Sequence, residues 1–516
     1  MKNRIYIVFL LSISTGILSA QKVLYSPFIS NQSEIQFQVI GKAGNYYWIQ
    51  KGKRKFRTRK PTDPWMNDKE FNFEIYDERM NQVKTIPSFI SDSITKEYFV
   101  PGEEYFDQLV LLQEGQKITA MLNRYTPDGN IIYNRDILCD FPGNMKCDNF
   151  LLVRSQDKNK ILLLGFETVS ESAPKLHSLL YDKNWKLLYQ TVYTNRNISQ
   201  PCVQYDFIDY PLEHFNNNPV KIDNNGEWLM IVPSRMNHNF LLFHFKGIDE
   251  DFVYKEIKLS AAASVEEVVL SLDNEKQEAF AGILSRARFP ALKNVRVAHY
   301  LLADRRFDFD TSFLFNTLTT NKTKNENIFE EYFITVPGKG FMLLKEYGRP
   351  ISFTIPEEEF NKRNARTDEM NGVAGNIPAP VNKHEYTRYN NLTGSRNQFE
   401  RGDLSMYYFP ATPNDSCWSG IINKEQITEL STSYLSYVFL PKEDKLFFLY
   451  NSFFRNSDQY SSTTVLDGKG NSLNEGIAFW KINNTLVFQK ARQISENEVA
   501  IPYERNFRTG FAIIRL

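Results

Sequence analysis

Phe150-Leu151-Leu152-Val153, Ile161-Leu162-Leu163-Leu164-Gly165, His177-Ser178-Leu179-Leu180-Tyr181-Asp182 and Trp185-Lys186-Leu187-Leu188-Tyr189 follow one another as four short apolar runs. Asp157-Lys158-Asn159 separates the first two, and an aromatic-Asp step ends the third. Short runs of β-branched, aromatic and aliphatic residues bounded by Asp, Asn and Gly read as strands joined by tight turns, because those turn residues accept φ > 0 or cap the turn backbone. Four such strands in sequence order make one antiparallel meander.

The unit recurs along the chain. Phe73–Asp77 turns into Gln82–Ile86, Ile118–Tyr125 turns through Pro127-Asp128-Gly129 into Ile131–Tyr133, and Thr463–Leu466 turns through Asp467-Gly468 toward Ile477–Trp480. Inner pairs stand at Val220–Ile222 with Trp228–Val232, Val268–Leu272 with Ala279–Leu284, Tyr332–Val336 with Phe341–Leu344, and Leu435–Leu440 with Leu446–Tyr450. A four-stranded unit at roughly 45–60-residue spacing predicts an all-β chain, a β-propeller of seven or eight four-stranded antiparallel blades. Val499–Tyr503 and Gly510–Leu516 read as the second and third strands of a final blade, and Val23–Ile29 as its fourth. The N- and C-terminal strands then share one blade and close the ring without an open edge. Two or three β-sandwich domains would use similar strands and turns. The strand at the very end, and the lack of a dividing linker, favour one propeller domain over residues 21–516.

Residues 1–20 have a different character. Met1-Lys2-Asn3-Arg4 is positive, Ile5–Leu18 is mostly apolar, and Ser19-Ala20 is small, the order of a secretory signal peptide cleaved after Ala20. No Cys follows the apolar run to carry a lipid anchor, and no later stretch approaches the roughly 18 apolar residues of a membrane-spanning helix. With 40 Phe, 27 Tyr and many Asn, Lys and Ile behind this leader, the chain resembles an exported protein of the Bacteroidota in composition. The resemblance implies a periplasmic or cell-surface location.

Export makes cysteine pairing available. Cys139 and Cys147 bracket the Pro142-Gly143 turn, which predicts a bridge closing a small ring, worth roughly 2–3 kcal/mol by loop entropy. Cys202 and Cys417 are equally compatible with a long-range bridge or two thiols. Four Cys and six His in no ligand spacing predict no metal site.

Equal totals of 61 basic and 61 acidic residues exclude a generally basic nucleic-acid binder. There is no nucleophile elbow, Walker loop, zincin helix or complete calcium loop, so no catalytic residue and no cofactor is assigned. A glycosidase needs only two suitably spaced carboxylates, which sequence alone cannot exclude. Arg401-Gly402-Asp403 reads as a loop tripeptide.

The basic residues are unevenly placed. Lys51, Lys53, Arg54, Lys55, Arg57, Arg59 and Lys60 put seven positive residues into ten, with no acid, in the connection after one blade's second strand. The corresponding connections carry Arg235 with His238, Arg286 with Arg288, Lys345 with Arg349, then Arg455, then Arg505 with Arg508. Phe56, Trp65, Phe289, Tyr347, Phe454 and Phe507 lie beside them. In a propeller these connections share one face, which predicts a positive, aromatic-studded surface for anions or a protein partner. A loop insertion at 349–401, with Pro356–Lys362 as a short helix, would overhang the same face.

Two functions follow as expectations. One is a non-catalytic cell-envelope scaffold holding a protein partner, such as an outer-membrane transport or secretion assembly, or an anionic glycan through the basic loops. The other is a propeller-type hydrolase or lyase acting on acidic polysaccharide, with His238, His244 and Tyr347 as its proton-transfer candidates.

Overall fold

The structure is a computed structural model that describes residues 23–28, 35–54, 69–87, 94–115, 117–142, 145, 149–167, 174–195, 197, 219–234, 239–246, 252–259, 264–286, 292–316, 327–336, 339–354, 389–390, 395–412, 415–428, 437–442, 445–455, 458–473, 480–481, 485–488, 491–495, 497–505 and 508–516. The chain is all-β, with eight four-stranded antiparallel blades arranged as a β-propeller. It falls into two compact units: residues 34–349 with 403–421, and residues 1–33 with 350–402 and 422–516.

The larger unit holds blades 1 to 5 and residues 327–349 and 403–421 of blade 6. Blade 1 runs Ile35–Ala43, Tyr46–Arg54, Lys69–Tyr76 and Gln82–Pro87, and blade 2 runs Ile94–Pro101, Phe106–Glu114, Lys117–Tyr125 and Ile131–Pro142. Blade 3 is Phe150–Arg154, Lys160–Glu167, Lys175–Asp182 and Leu187–Thr194. Blade 4 is Val220–Ile222, Trp228–Pro233, Phe240–Phe245 and Phe252–Ile257. Blade 5 is Ser264–Asp273, Glu278–Arg286, Leu292–Leu301 and Arg306–Asn316. Blade 6 uses Asn327–Val336, Gly340–Thr354, Ser395–Pro410 and Trp418–Ile422. The first strands of blades 1 and 2, of blades 3, 4 and 5 in turn, and of blades 5 and 6 lie beside one another.

The smaller unit holds blades 7 and 8. Blade 7 pairs Tyr437–Lys442, Lys445–Arg455 and Asp458–Asp467, with a broken outer strand of Ser472–Leu473 and Trp480–Lys481. In blade 8, Arg492–Ser495 pairs with Glu498–Arg505, which pairs with Arg508–Arg515. Val23–Tyr25 then adds outside Arg508–Arg515, with Val23 opposite Ile514. Ser26 fastens the junction: its N–H donates to Phe511 O at 2.9 Å, its Oγ accepts from Phe511 N at 3.0 Å, and its carbonyl accepts the Tyr503 hydroxyl at 2.6 Å. The expected sharing of one blade by the two ends is present, with a terminal strand of three residues.

The turns explain why the meander forms. Asp77 Oδ1 accepts the N–H groups of Arg79 and Asn81, while Met80 takes φ 65°. Asp182 does the same for Asn184 and Lys186 around Trp185 at φ 62°, and Asp467 for Lys469 and Asn471 around Gly470 at φ 83°. This is a type I turn followed by a left-handed residue, with Asp capping the loop. Trp185, read from sequence as a strand residue, therefore sits in the turn, and its strand begins at Leu187. Glycine is required at Gly340, where φ is 151° and a Cβ would overlap the Phe409 carbonyl.

The larger unit's core is a series of layers between consecutive blades. Trp48, Phe73 and Phe106 fill the layer between blades 1 and 2. Leu111, Leu163 and Tyr181 fill the next, and Leu164, Trp228 and Phe245 the one between blades 3 and 4. Leu242, Ile283 and Tyr300, then Val297, Phe341 and Phe409, continue the series. The smaller unit has its own layer around Leu440, Ile501 and Ile514.

Cys139 is a thiol packed beside Tyr181, and burial pushes its pKa up to about 11. Its expected partner Cys147 lies outside the described residues, as does Cys202, and Cys417 is a free, exposed thiol. The insertion is narrower than expected, since strand runs through Thr354 and resumes at Ser395. Residues 1–20, the expected signal peptide, and Pro356–Lys362 lie outside the described residues.

Candidate functional site

Antiparallel order gives each blade of the larger unit a turn end and a loop-bearing end. The connections between first and second strands, and between third and fourth, lie at the turn end. At this end Asn224 Oδ1 accepts the Asp157 N–H at 3.1 Å, Asn274 Oδ1 accepts the Asn224 N–H at 2.9 Å, and Asn274 Nδ2 donates to Gln156 Oε1 at 2.9 Å. The first turns of blades 3, 4 and 5 are thereby tied together. The connections after the second strands, where the basic residues were expected, lie at the other end.

The densest chemistry at the loop-bearing end joins blades 5 and 6. Glu266 and Glu331 stand on first strands, and a register irregularity between Val265 and Glu267 re-aims Glu266. Lys293, at the start of blade 5's third strand, donates to Glu266 Oε2 at 2.6 Å and to Glu331 Oε1. Arg286 Nη2 lies 2.6 Å from Glu266 Oε1, and Lys345 Nζ lies 3.2 Å from Glu331 Oε2. Burial alone would raise the Glu266 carboxyl; the hydrogen bonds and charges of Lys293 and then Arg286 outweigh it and hold the group below the usual carboxylate range.

Lys345 is completely buried, which corrects its reading as a loop-face residue: the strand Gly340–Thr354 carries it into the layer beside Glu331. Burial, with the Lys293 charge beside it, pulls its pKa from 10.5 down to about 8 against the opposing pull of Glu331. Between about pH 8 and 10.5 the unfolded chain therefore holds a proton that the fold does not, so stability rises with pH across that window and the full cost is present below it. Lys345→Met is expected to stabilise the larger unit by about 2–3 kcal/mol at pH 7 and to remove that rise, as read from melting temperature against pH. Glu331 keeps Lys293 as a partner in the variant. A variant less stable than the parent at pH 7 would contradict the assignment.

The same saturation recurs at other blades. Glu97 accepts Gln50 Nε2 at 3.0 Å and Gln108 Nε2 at 2.9 Å, and Asn123 Nδ2 extends the chain to Gln108 Oε1 at 3.1 Å. Glu167 faces His177 at 2.9 Å and Lys175 at 3.5 Å. Glu74 accepts Lys51 Nζ and the Tyr76 hydroxyl, each at 2.9 Å.

Of the twelve expected binding residues, Arg286 and Arg508 are described as exposed, Arg286 on Glu266 and Arg508 with its guanidinium 5.8 Å from the Phe28 ring. Lys53, Arg54, Arg349, Arg455 and Arg505 are placed on strands, but their side chains lie outside the description. Arg57, Arg59, Trp65, Arg235 and Arg288 lie outside the described residues, as does His238. His244 is buried at the turn end, between Glu227 Oε2 at 2.8 Å and the Tyr300 hydroxyl at 3.2 Å, and burial lowers its pKa against the pull of Glu227. That position is at the opposite end of its blade from the connections expected to hold an acidic substrate. Tyr347 stays at the loop-bearing end, partly buried.

Sequence reasoning missed Glu266, Lys293 and Glu331. The signal available was the acid pair that opens two first strands, Glu266-Glu267 and Glu330-Glu331. Partly buried Lys221, on blade 4's first strand, was also missed; burial pulls its pKa down to about 7. Among the described residues no group of three or more His, Cys, Asp or Glu side chains is placed to hold a metal, and no helix is long and apolar enough to cross a membrane.

No family profile matches the chain, and no curated protein matches it. Among solved structures it is similar to the Dos1 propeller, at 8% identity and TM-score 0.38, over 95% of this chain and 94% of that one. The β-propeller domain of the Trilobed protease from Pyrococcus furiosus matches at 9% identity and TM-score 0.32, over 81% and 94%. A Pseudomonas brassicacearum lignostilbene dioxygenase matches at 9% and 0.33, over 96% and 93%. Likeness at this level transfers neither activity nor partner, so the function rests on the residues of the chain itself.

Proposed function

We propose that the protein is a non-catalytic cell-envelope β-propeller that holds a protein partner or an anionic glycan at its loop-bearing end. The observation that carries this reading is the Glu266–Lys293–Glu331 bridge. A polysaccharide hydrolase needs one carboxyl that keeps its proton near neutral pH and a second that is free to attack or to activate water. Here one ammonium occupies both carboxylates, and the Glu266 carboxyl is held low. Glu97, Glu167 and Glu74 are likewise engaged by donors. Such side chains fix the ends of blades and present loops rigidly, which suits holding a partner.

The test is affinity capture from the native cell envelope with the parent protein and with Lys53, Arg54, Arg57 and Arg59 changed to Glu. The parent is expected to retain a protein or an acidic glycan that the variant loses. Capture unchanged by the four substitutions would overturn the basic loops as the contact. Depolymerisation of uronate or sulfate polysaccharides by the parent, abolished in Glu266→Gln, would overturn the non-catalytic reading.

A further inference from the structure

His244 stands on the third strand of blade 4, Phe240–Phe245, and Tyr300 on the third strand of blade 5, Leu292–Leu301. Both are buried at the junction of the two blades, the imidazole with no exposed surface and Tyr300 in a layer with Leu242, Ile283 and Leu302. His244 Nε2 lies 2.8 Å from Glu227 Oε2, and Nδ1 lies 3.2 Å from the Tyr300 hydroxyl. The partners fix the tautomer. An ionised carboxylate only accepts, so Nε2 carries the ring proton and Nδ1 offers its lone pair to the Tyr300 O–H. One imidazole thus spans the junction, donating within blade 4 and accepting from blade 5. The charged groups around it come from both blades. Glu227 and Asp223, on blade 4, favour a second proton on the ring, while Arg305, in the turn before blade 5's outer strand, opposes it. Burial is the largest influence and outweighs the acids, so the ring takes that proton less readily than its ordinary value of 6.5 implies. Glu227 is partly exposed, which gives solvent protons a route to the site.

We infer that His244 is an acid-released latch between blades 4 and 5. A second proton arrives on Nδ1, the atom that accepts from Tyr300, and replaces its lone pair with an N–H. The buried hydroxyl must then turn its own proton toward apolar neighbours, and a charged ring is left where no water reaches it. Beside the latch, Asn274 Oδ1 accepts the Asn224 N–H at 2.9 Å and ties the first turns of the same two blades; neither amide titrates. The first strands of blades 4 and 5 lie beside one another, so this tie sits inward of the third strands that carry His244 and Tyr300. Acid therefore releases the third strands while the first turns stay joined, and the junction opens as a hinge at the turn end. Opening admits water to the ring, where it binds a proton more readily, so the open form grows as pH falls below 6.5 and is least populated above it. The inference is independent of what the loop-bearing end holds.

The experiment is hydrogen–deuterium exchange of the full chain from about pH 8 to about pH 5, corrected for the chemical pH dependence of amide exchange, with the imidazole nitrogen resonances recorded alongside. The parent is expected to carry the ring proton on Nε2 at neutral pH. Protection of Phe240–Phe245 and Leu292–Leu301 should then fall by about three- to tenfold over the pH unit below about 6.5, tenfold being the limit for one proton. Phe106–Glu114 of blade 2 should keep its protection over the same unit. His244→Gln keeps a donor for Glu227 but takes up no proton, and its protection should not change with pH there. Glu227→Gln removes the charge that favours the second proton and should move the loss to lower pH, a readout that stands even if His244→Gln fails to fold. Melting temperature shows which variants fold. A ring proton on Nδ1 at neutral pH, parental protection that does not fall in acid, or a loss that persists in a folded His244→Gln would overturn the inference. So would a loss that Glu227→Gln leaves in place or moves to higher pH.

Discussion

Replacing Asp107 with alanine is expected to lower the stability of the larger unit by about 3–5 kcal/mol, because it strands a buried guanidinium. Asp107 Oδ1 accepts Arg124 Nε at 2.7 Å, and Oδ2 accepts both Arg124 Nη2 at 2.9 Å and Trp185 Nε1 at 2.8 Å. Asp107 and Arg124 are each only 5% exposed. One carboxylate thus couples two strands of blade 2 to the turn of blade 3, where Arg124 also donates to Lys183 O at 3.1 Å. The variant leaves the Arg124 charge over the Tyr105 ring with its counter-ion gone, and the indole N–H without an acceptor. Urea unfolding would read the loss. Asp107→Leu combined with Arg124→Met should be less destabilised than Asp107→Ala alone, because no charge is then left buried. A single variant within about 1 kcal/mol of the parent would show that water reaches the guanidinium.

Trp48→Ala should cost a similar amount, about 3–5 kcal/mol, through lost packing rather than lost charge. The indole is fully buried between blades 1 and 2, stacked on Phe106 with ring centroids 3.8 Å apart and meeting Phe73 at 5.7 Å and Tyr125 at 5.6 Å. Its N–H donates to Pro127 O at 2.9 Å. Trp48→Phe keeps an aromatic partner for Phe106, and the freed Pro127 carbonyl sits in a surface turn, so about 1–2 kcal/mol is expected there. The gap between the two variants, measured by urea unfolding, separates stacking from the hydrogen bond. Equal losses would place the whole effect on the hydrogen bond.

Strands were legible wherever apolar runs met Asp-capped turns, as at Phe73–Asp77 and Phe150–Tyr189, because burial between blades demands long apolar runs and the turn backbone demands its cap. The joining of the two ends was legible for the same reason: Val499–Tyr503 and Gly510–Leu516 lacked one partner. The turn whose left-handed residue is Trp185 was harder to place, since the Asp182 cap carries what Gly usually supplies. Side-chain partnership was not legible at all. Lys345 and Arg286 read as loop charges because their acids, Glu331 and Glu266, come from other strands and meet them only in the folded blades. The exposure of Ile131, Ile132 and Tyr133 was not legible either, because consecutive apolar residues read as a buried run. Lys345 was drawn inward because blade 6's second strand runs past the length that the pattern implied.

The fastening of Tyr503 to Ser26 spans 477 residues of chain. The eighth blade therefore cannot be completed on a growing polypeptide, because the strand it needs last is made first and must wait for every other blade. Pairing at such separation carries a large loop-closure cost and slows folding. Until then Arg508–Arg515 has no outer neighbour, an open edge able to recruit the wrong strand. The clasp thus forms only after Arg508–Arg515 has been made, so an early segment of the chain must stay available until then.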